Sequence, residues 1–414
     1  MNNFFLGLYE RVAWRAGLDI LSRGLFLVVN LLIARTLSVS DFGKLGYALS
    51  FAQIFYTLID LGTSAQLMKE MGEFRERANL WVYYLKLRLG LIAVCTLIFL
   101  FLPWIVWRWE HPWLMYFILF VVFSNSLLDF GQFVCNSMCR MDLARQTLMI
   151  QRGCAISGIV VPLLLFRSLV GVVIGMSVGS VVGAGVSQWV LWRKSVNSWE
   201  TPSTVPEWRR IMILSVPNAI SGAFGTWYLR IAPLILGWVV SSHELGEYNG
   251  AFRVFEATYI LPASIMAISL SHLASSLKDG MGSYERELRR VALLMIPGGV
   301  AWACFLGFGS RWIIRILLGE RFSGAVPILS VLGLVGGMVF LNYFVTYLMI
   351  VINAQRRHAV HQTLVFLFSL IVHVLLIQKK LAVGAAWALF STEVFLFLLT
   401  VSYIVRWHHR RRMV

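Results

Sequence analysis

Charged residues are scarce in this chain of 414 residues: Asp, Glu, Lys and Arg make up 14% of it, whereas 58% is apolar. A compact soluble domain needs a polar exterior, so this balance excludes a soluble fold. The apolar residues number about 240, enough for twelve membrane-spanning helices of roughly 20 residues each. Their runs are continuous rather than alternating, which excludes an outer-membrane barrel.

Cysteine and acidic residues are also few. The five cysteines fall inside apolar segments, so we expect neither a disulfide framework nor a zinc site. The 20 acidic residues are outnumbered by 36 Lys and Arg, a net charge of +16. In a membrane protein this excess is typical of cytoplasmic loops, so we expect no nucleic-acid partner. The first apolar stretch lacks a small-residue cleavage site, so we expect no removable signal peptide.

The apolar runs predict twelve spans, at residues 13–34, 45–68, 81–102, 114–136, 148–166, 169–192, 211–240, 248–277, 291–309, 325–352, 364–378 and 382–405. The longest connection, 193–210, predicts a linker between an N-terminal six-helix bundle, residues 1–200, and a C-terminal six-helix bundle, residues 201–414. With the N-terminus inside, the inner segments carry about twice as many Lys and Arg as the outer ones, which predicts that both termini are cytoplasmic.

A faint repetition relates the two halves. Asp41-Phe42-Gly43, at the start of the second span, corresponds to Glu244-Leu245-Gly246 at the start of the eighth. Arg140…Gln146-Thr147 corresponds in the same way to Arg356…Gln362-Thr363. Each half contains six spans and so has the same topology. We therefore expect an all-α polytopic membrane protein whose two bundles are related by a pseudo-two-fold axis along the membrane normal.

Several charged residues fall inside the predicted spans or at their edges. Each costs at least about 2.5 kcal/mol at the centre of a helix, so such residues normally face a bundle interior or a wet cavity. Lys86, Arg88 and Arg152 lie near predicted cytoplasmic ends, where long side chains can snorkel to the headgroups. The others are Arg15, Asp19, Arg23, Asp60, Asp129, Arg230, Arg253, Glu256 and Glu393.

Arginines in equivalent helices of the two halves predict a substrate site. Arg15, Asp19 and Arg23 share one face of the first span, and Arg230 and Arg253 lie in the corresponding spans 7 and 8. We expect the four arginines to line a central cationic cavity. The alternative is a self-neutralising ladder in the first span and a structural pair between Arg253 and Glu256.

A cationic cavity predicts an anionic cargo, because a guanidinium group binds phosphate oxygens in bidentate fashion and stays charged at any working pH. Asp60 and Asp129, with Asp19 and Glu256, are candidates to couple transport to H⁺ or Na⁺, since a desolvated carboxylate can take up either ion. The alternative role for these acids is as counter-ions of nearby arginines. We expect no catalytic residue, no metal site and no other cofactor.

Three passages resemble a known family. They are Leu32-Ile33-Ala34-Arg35-Thr36-Leu37 with Ser40-Asp41-Phe42-Gly43 and Asp60-Leu61-Gly62; Leu318-Gly319-Glu320-Arg321-Phe322; and Gly384-Ala385-Ala386-Trp387-Ala388 followed by Glu393. With twelve spans in two halves, they resemble the oligosaccharide flippases of the multidrug/oligosaccharidyl-lipid/polysaccharide exporter superfamily. The resemblance covers nearly the whole chain, although its motifs are short.

The resemblance implies two six-helix bundles that work by alternating access. It implies a cargo of undecaprenyl-pyrophosphate-linked oligosaccharide, moved to the outer leaflet of the bacterial cytoplasmic membrane for O-antigen lipopolysaccharide, capsule or exopolysaccharide assembly. Other membrane proteins of polysaccharide assembly are expected partners. A positively charged cavity is a family feature, and Arg15, Arg23, Arg230 and Arg253 are the positions that could supply it.

Two other functions are compatible with the spans. An ion-coupled multidrug exporter of the same superfamily would favour an acid-rich cavity, whereas the expected cavity is rich in arginine. A membrane glycosyltransferase, polymerase or ligase needs a large catalytic loop outside the bilayer, whereas the outer loops are short. We therefore expect a transporter and not an enzyme.

Overall fold

The computed structural model describes residues 24–73, 80–106, 113–138, 140–195 and 208–412, and all regular structure in these ranges is helical. The helices are α1 (Gly24–Thr36), α2 (Val39–Asp60), α3 (Thr63–Glu73), α4 (Leu80–Val106), α5 (Trp113–Ser137), α6 (Met141–Phe166), α7 (Leu169–Ser195), α8 (Trp208–Val239), α9 (Ser242–Glu256), α10 (Ile260–Lys278), α11 (Met281–Leu317), α12 (Ala325–Val351) and α13 (Gln355–Arg412). Eight helical segments in these ranges are long and apolar enough to cross a membrane. The expected all-α polytopic class is confirmed.

The described chain forms two compact units. The first contains residues 24–43 and the chain from Ile235 onward, and the second contains Lys44–Leu234. The boundaries fall within α2 and α8. The division into residues 1–200 and 201–414 stays a prediction.

In the second unit, α6 and α7 form a close hairpin. Arg167 connects them in a left-handed conformation, with φ of 46°. Glycines recur every fourth residue on α7, and Gly175 and Gly179 face the backbone of α6 at Gly158 so closely that a Cβ atom would overlap it. Small residues thus bring the two helix backbones into direct contact. Such close packing holds helices together in a membrane, where the hydrophobic effect does not drive their association.

The first unit has an apolar core between α10, α11 and α12, in which Met266, Met295 and Phe340 are almost completely buried. Its last segment, α13, is two helices that meet at Leu381, where φ is 49° and ψ is −130°. The break at Leu381 agrees with the two spans predicted at 364–378 and 382–405.

The predicted repeat is visible in how α2 and α9 begin. The Ser38 Oγ atom accepts from the Asp41 backbone N–H at 3.1 Å, and the Ser241 Oγ atom accepts from the Glu244 N–H at 3.2 Å. Each helix therefore starts with a serine cap followed three residues later by an acid. The two helix starts also pack on each other, because Gly43 lies directly against Gly246.

The family-like passages near α1 and α11 converge in the first unit. The Arg35 Nε atom donates to the Leu317 carbonyl at 2.9 Å, and its Nη2 atom donates to the Ile316 carbonyl, so Arg35 caps the C-terminal end of α11. Arg321 donates in return to the Arg35 carbonyl. These contacts give the short motifs a structural role at the junction of α1 and α11.

Candidate functional site: a buried charge cluster on a broken helix

The candidate site begins where the second predicted span is interrupted. Leu61 and Gly62 both have positive φ, of 41° and 69°, so α2 ends at Asp60 and α3 starts afresh at Thr63. The expectation of one continuous span over 45–68 is wrong, because two successive left-handed residues cannot continue an α-helix. The Thr63 hydroxyl donates to the Asp60 carbonyl at 2.6 Å, which satisfies one backbone group freed by the break.

Arg88 of α4 binds this break. Its Nη2 atom lies 3.0 Å from the Asp60 Oδ1 atom, and its Nη1 atom donates to the Ser64 Oγ atom at 2.8 Å. Its Nε atom donates to the Ser126 Oγ atom of α5 at 2.9 Å. The Ser64 hydroxyl donates in turn to the Asp60 carboxylate at 2.5 Å. One guanidinium group therefore joins α2, α3, α4 and α5.

This pair is largely shielded from solvent. The Arg88 side chain is 1% exposed and the Asp60 side chain 27%. The Arg88 Cζ atom lies over the Phe130 ring, 5.4 Å from its centroid, a cation–π contact. A buried charge of this kind is tolerated only because it is paired and hydrogen-bonded. The expectation that Arg88 snorkels to the headgroups is therefore wrong.

A second polar pair lies beside this cluster. The Tyr56 hydroxyl of α2 donates to the Asp129 carboxylate of α5. Asp129 is partly buried and lies within electrostatic reach of Arg88 and Arg152. The structure thus brings Asp60 and Asp129, two of the acids singled out in the sequence, into one cluster of the second unit. Asp60 is engaged with Arg88, whereas Asp129 is held by a neutral phenol.

The predicted substrate arginines are placed differently. The Arg253 Nη1 atom lies 2.7 Å from the Glu256 Oε2 atom one helical turn away, with the side chains 14% and 25% exposed. This is the structural pair between Arg253 and Glu256 that the sequence analysis gave as the alternative to a cavity site. Arg230 is partly buried on α8, one turn after Trp227, whose Nε1 atom donates to the Thr57 Oγ1 atom at 2.6 Å.

The ladder of the first span, Arg15, Asp19 and Arg23, lies outside the described residues. Arg230 belongs to the second unit and Arg253 to the first. The shared cavity that these arginines were expected to line therefore stays a prediction.

Glu393, in the first unit, is an almost completely buried acid. It is 1% exposed, and its carboxylate accepts a hydrogen bond from the Asn342 Nδ2 atom at 2.5 Å. The same amide nitrogen donates to the Glu393 carbonyl at 2.9 Å, so α12 is tied to the second half of α13. Within the described residues, the first unit therefore has a buried polar anchor of its own.

Comparison with known families decides what kind of protein carries these sites. The family model described as "Polysaccharide biosynthesis protein" matches residues 8–270, well over half of the chain. The chain belongs to this family. No curated protein sequence matches it. The family assignment confirms the resemblance to polysaccharide flippases.

Solved structures of other proteins have the same fold as this chain. The lipid II flippase MurJ in its inward closed conformation matches with a TM-score of 0.75 at 16% identity, over 93% of this chain and 86% of that chain. An inward-facing multidrug resistance MATE transporter of the MOP superfamily matches with a TM-score of 0.74 at 12% identity, over 92% and 94% of the two chains.

A MOP superfamily transporter from Pyrococcus furiosus also matches, with a TM-score of 0.61 at 13% identity, over 95% and 94% of the two chains. At these identities the likeness concerns the fold alone. The chain is therefore a member of the polysaccharide biosynthesis family, and its fold is the one that these solved transporters have.

Proposed function

We propose that this protein moves a lipid-linked oligosaccharide, carried on undecaprenyl pyrophosphate, from the inner to the outer leaflet of the bacterial cytoplasmic membrane. The product would supply O-antigen lipopolysaccharide, capsule or exopolysaccharide assembly. The observation that carries the proposal is the match of residues 8–270 to the polysaccharide biosynthesis family. The fold shared with transporters supports alternating access as the mechanism.

The proposed contacts to the cargo are made by Arg15, Arg23, Arg230 and Arg253. A pyrophosphate carries more negative charge than a carboxylate and accepts from both arms of a guanidinium fork. In this mechanism the pyrophosphate displaces Glu256 from Arg253, so their 2.7 Å pair is the resting state of that arginine. The pair keeps a half-buried cation neutralised between transport cycles.

The proposed orientation places both termini and the basic inner segments in the cytoplasm, where positively charged loops are retained. The lipid-linked sugar would enter from that side. The membrane proteins that make or polymerise the sugar are proposed partners.

We place ion coupling at Asp129 rather than at Asp60. Asp60 already neutralises Arg88 at 3.0 Å, so protonating it would leave a buried cation without a partner. Asp129 accepts from Tyr56, which can remain bound whether the acid is charged or protonated. H⁺ or Na⁺ would be the coupling ion. If so, Asp129→Asn removes the dependence of transport on pH or Na⁺ in vesicles, and an unchanged dependence would leave Asp129 as a counter-ion.

The cargo assignment is tested in cells depleted of the native protein and supplied with Arg230→Ala or Arg253→Ala. Each substitution removes a charge-assisted contact of about 1.5–3 kcal/mol, so surface polysaccharide should fall by about tenfold or more. Lipid-linked oligosaccharide should accumulate where an impermeant glycosidase added outside cannot reach it.

Arg290→Ala is the matched control. Arg290 also pairs with an acid three residues away, Glu287, but its side chain is 78% exposed. This variant should export as well as the wild type. Normal export in both Arg230 and Arg253 variants, at equal protein levels, would overturn their role in binding the cargo.

A further inference from the structure

A separate cavity lies at one end of the second unit, where α4 and α6 begin and α5 and α7 end. Its volume is about 360 Å³, within the range of small-molecule sites. Its wall is mostly apolar and includes Trp81, Phe130, Val134, Cys135, Trp189 and Trp192. Phe130 also contacts Arg88 of the charge cluster described above, but Asp60, Ser64 and Arg88 themselves do not line the cavity.

The tryptophans place the cavity at the membrane surface. Trp189 and Trp192 are 51% and 55% exposed at the end of α7, and Trp81 lies at the start of α4. Indole rings concentrate at the level of the headgroups, because one edge is apolar and the N–H group is polar. The cavity therefore opens at the headgroup level and extends inward among apolar side chains.

The mouth of the cavity is cationic. Arg140 is one of the lining residues and is 43% exposed. Arg193 lies beside the cavity with its Cζ atom 4.6 Å from the Trp189 ring. Asp142, which is 56% exposed, lies 3.5 Å from Arg140 and is the acid that a phosphate would compete with for this arginine. A ligand that suits both the apolar interior and the cationic mouth has an apolar chain and an anionic head.

We propose that this cavity is a binding site for an anionic phospholipid of the surrounding leaflet. One acyl chain would fill the apolar interior, and the phosphate would lie between Arg140 and Arg193. Basic residues next to a membrane surface each contribute about fivefold to the binding of anionic lipid. The inner wall is formed by Phe130, whose ring lies against Arg88, so a bound chain would hold this ring against the buried ion pair.

The test uses the purified protein, stripped of lipid in detergent, and phosphatidylglycerol carrying a diazirine on one acyl chain. Phosphatidylcholine with the same chain is the neutral probe. We expect the anionic probe to label peptides of α5 and α7 and to raise the melting temperature, because a ligand that binds only the folded state stabilises it. The neutral probe should bind about fivefold or more weakly.

Two kinds of variant separate shape from charge. Val134→Phe fills the cavity and should reduce labelling at least tenfold, and Met138→Phe, at a less buried position, repeats the test if the first variant fails to fold. Val182→Phe, at an exposed position elsewhere on α7, is the control. Arg140→Gln should weaken the anionic probe about fivefold and leave the neutral probe unchanged. Arg315→Gln, which also breaks an exposed pair, should change neither.

Equal binding of both probes would overturn the charge part of the proposal. Labelling that survives both cavity-filling variants would overturn the site. Displacement of the probe by undecaprenyl phosphate, but not by unlabelled phosphatidylglycerol, would show that the cavity binds a polyprenyl carrier instead.

Discussion

The pair between Arg88 and Asp60 should have a measurable coupling energy. Removing one member of a buried ion pair costs about 3–5 kcal/mol, whereas replacing both by apolar residues is often nearly neutral. Asp60 is 27% exposed, so solvent screens part of its charge and the lower end applies. We expect Asp60→Leu, which leaves the buried guanidinium without its acid, to cost about 3 kcal/mol. Arg88→Met leaves a carboxylate that reaches solvent and should cost less, about 2 kcal/mol, and the double variant should cost about 2 kcal/mol because the contacts to Ser64 and Ser126 are lost as well.

The assay is a double-mutant cycle on the free energy of unfolding, measured by titrating SDS into mixed micelles and following circular dichroism. These values predict a coupling energy of about 3 kcal/mol, because the destabilisations of the two single variants add up to about 3 kcal/mol more than that of the double variant. The control cycle uses Arg315 and Glu320, which lie 2.7 Å apart but are 60% and 74% exposed. An exposed pair should give less than about 1 kcal/mol. Effects at Arg88 and Asp60 that add to within about 0.5 kcal/mol would refute the reasoning.

Three further variants test the packing of the first unit, each by the same unfolding titration. Gly246→Ala should destabilise by about 2 kcal/mol, because the new Cβ atom would overlap the Val39 carbonyl oxygen. The control is Gly282→Ala, whose Cβ atom would have no neighbour within 4 Å, so it should be neutral or slightly stabilising. Equal effects of the two variants would contradict this. Arg35→Gln should cost about 1 kcal/mol by uncapping the end of α11, and no loss would show that the cap is unimportant. Leu381→Gly should stabilise by about 1 kcal/mol, because φ of 49° strains any residue with a Cβ atom; destabilisation would contradict the strain.

The fold class could be predicted from the sequence because it depends on the length of apolar runs, which burial in a bilayer dictates directly. The start of α2 and of α9 was visible as a repeated acid and glycine, and the structure adds the serine that caps each helix. The break at Leu61 and Gly62 was not predicted, because the residues on both sides continue the apolar pattern. An acid followed two residues later by glycine inside a span is the signal that could have found it.

The burial of Arg88 also had a signal. It lies seven residues after Trp81, about 10 Å along the helix axis from the start of α4, which is deep for a side chain that snorkels. Its partners could not be predicted, because Asp60, Ser64 and Ser126 come from other helices and meet it only through packing. The pairing of Arg253 with Glu256, by contrast, follows from their spacing on one helix.

The most direct test of the central claim is translocation by the purified protein in proteoliposomes. The vesicles would contain undecaprenyl-pyrophosphate-linked oligosaccharide in both leaflets, and an impermeant enzyme added outside would cleave whatever becomes accessible. We predict that cleavage goes beyond the initially exposed half only when active protein is present, and that a cationic drug in excess does not slow it. Cleavage that stops at the exposed half, while the same vesicles transport the drug against an ion gradient, would contradict the account.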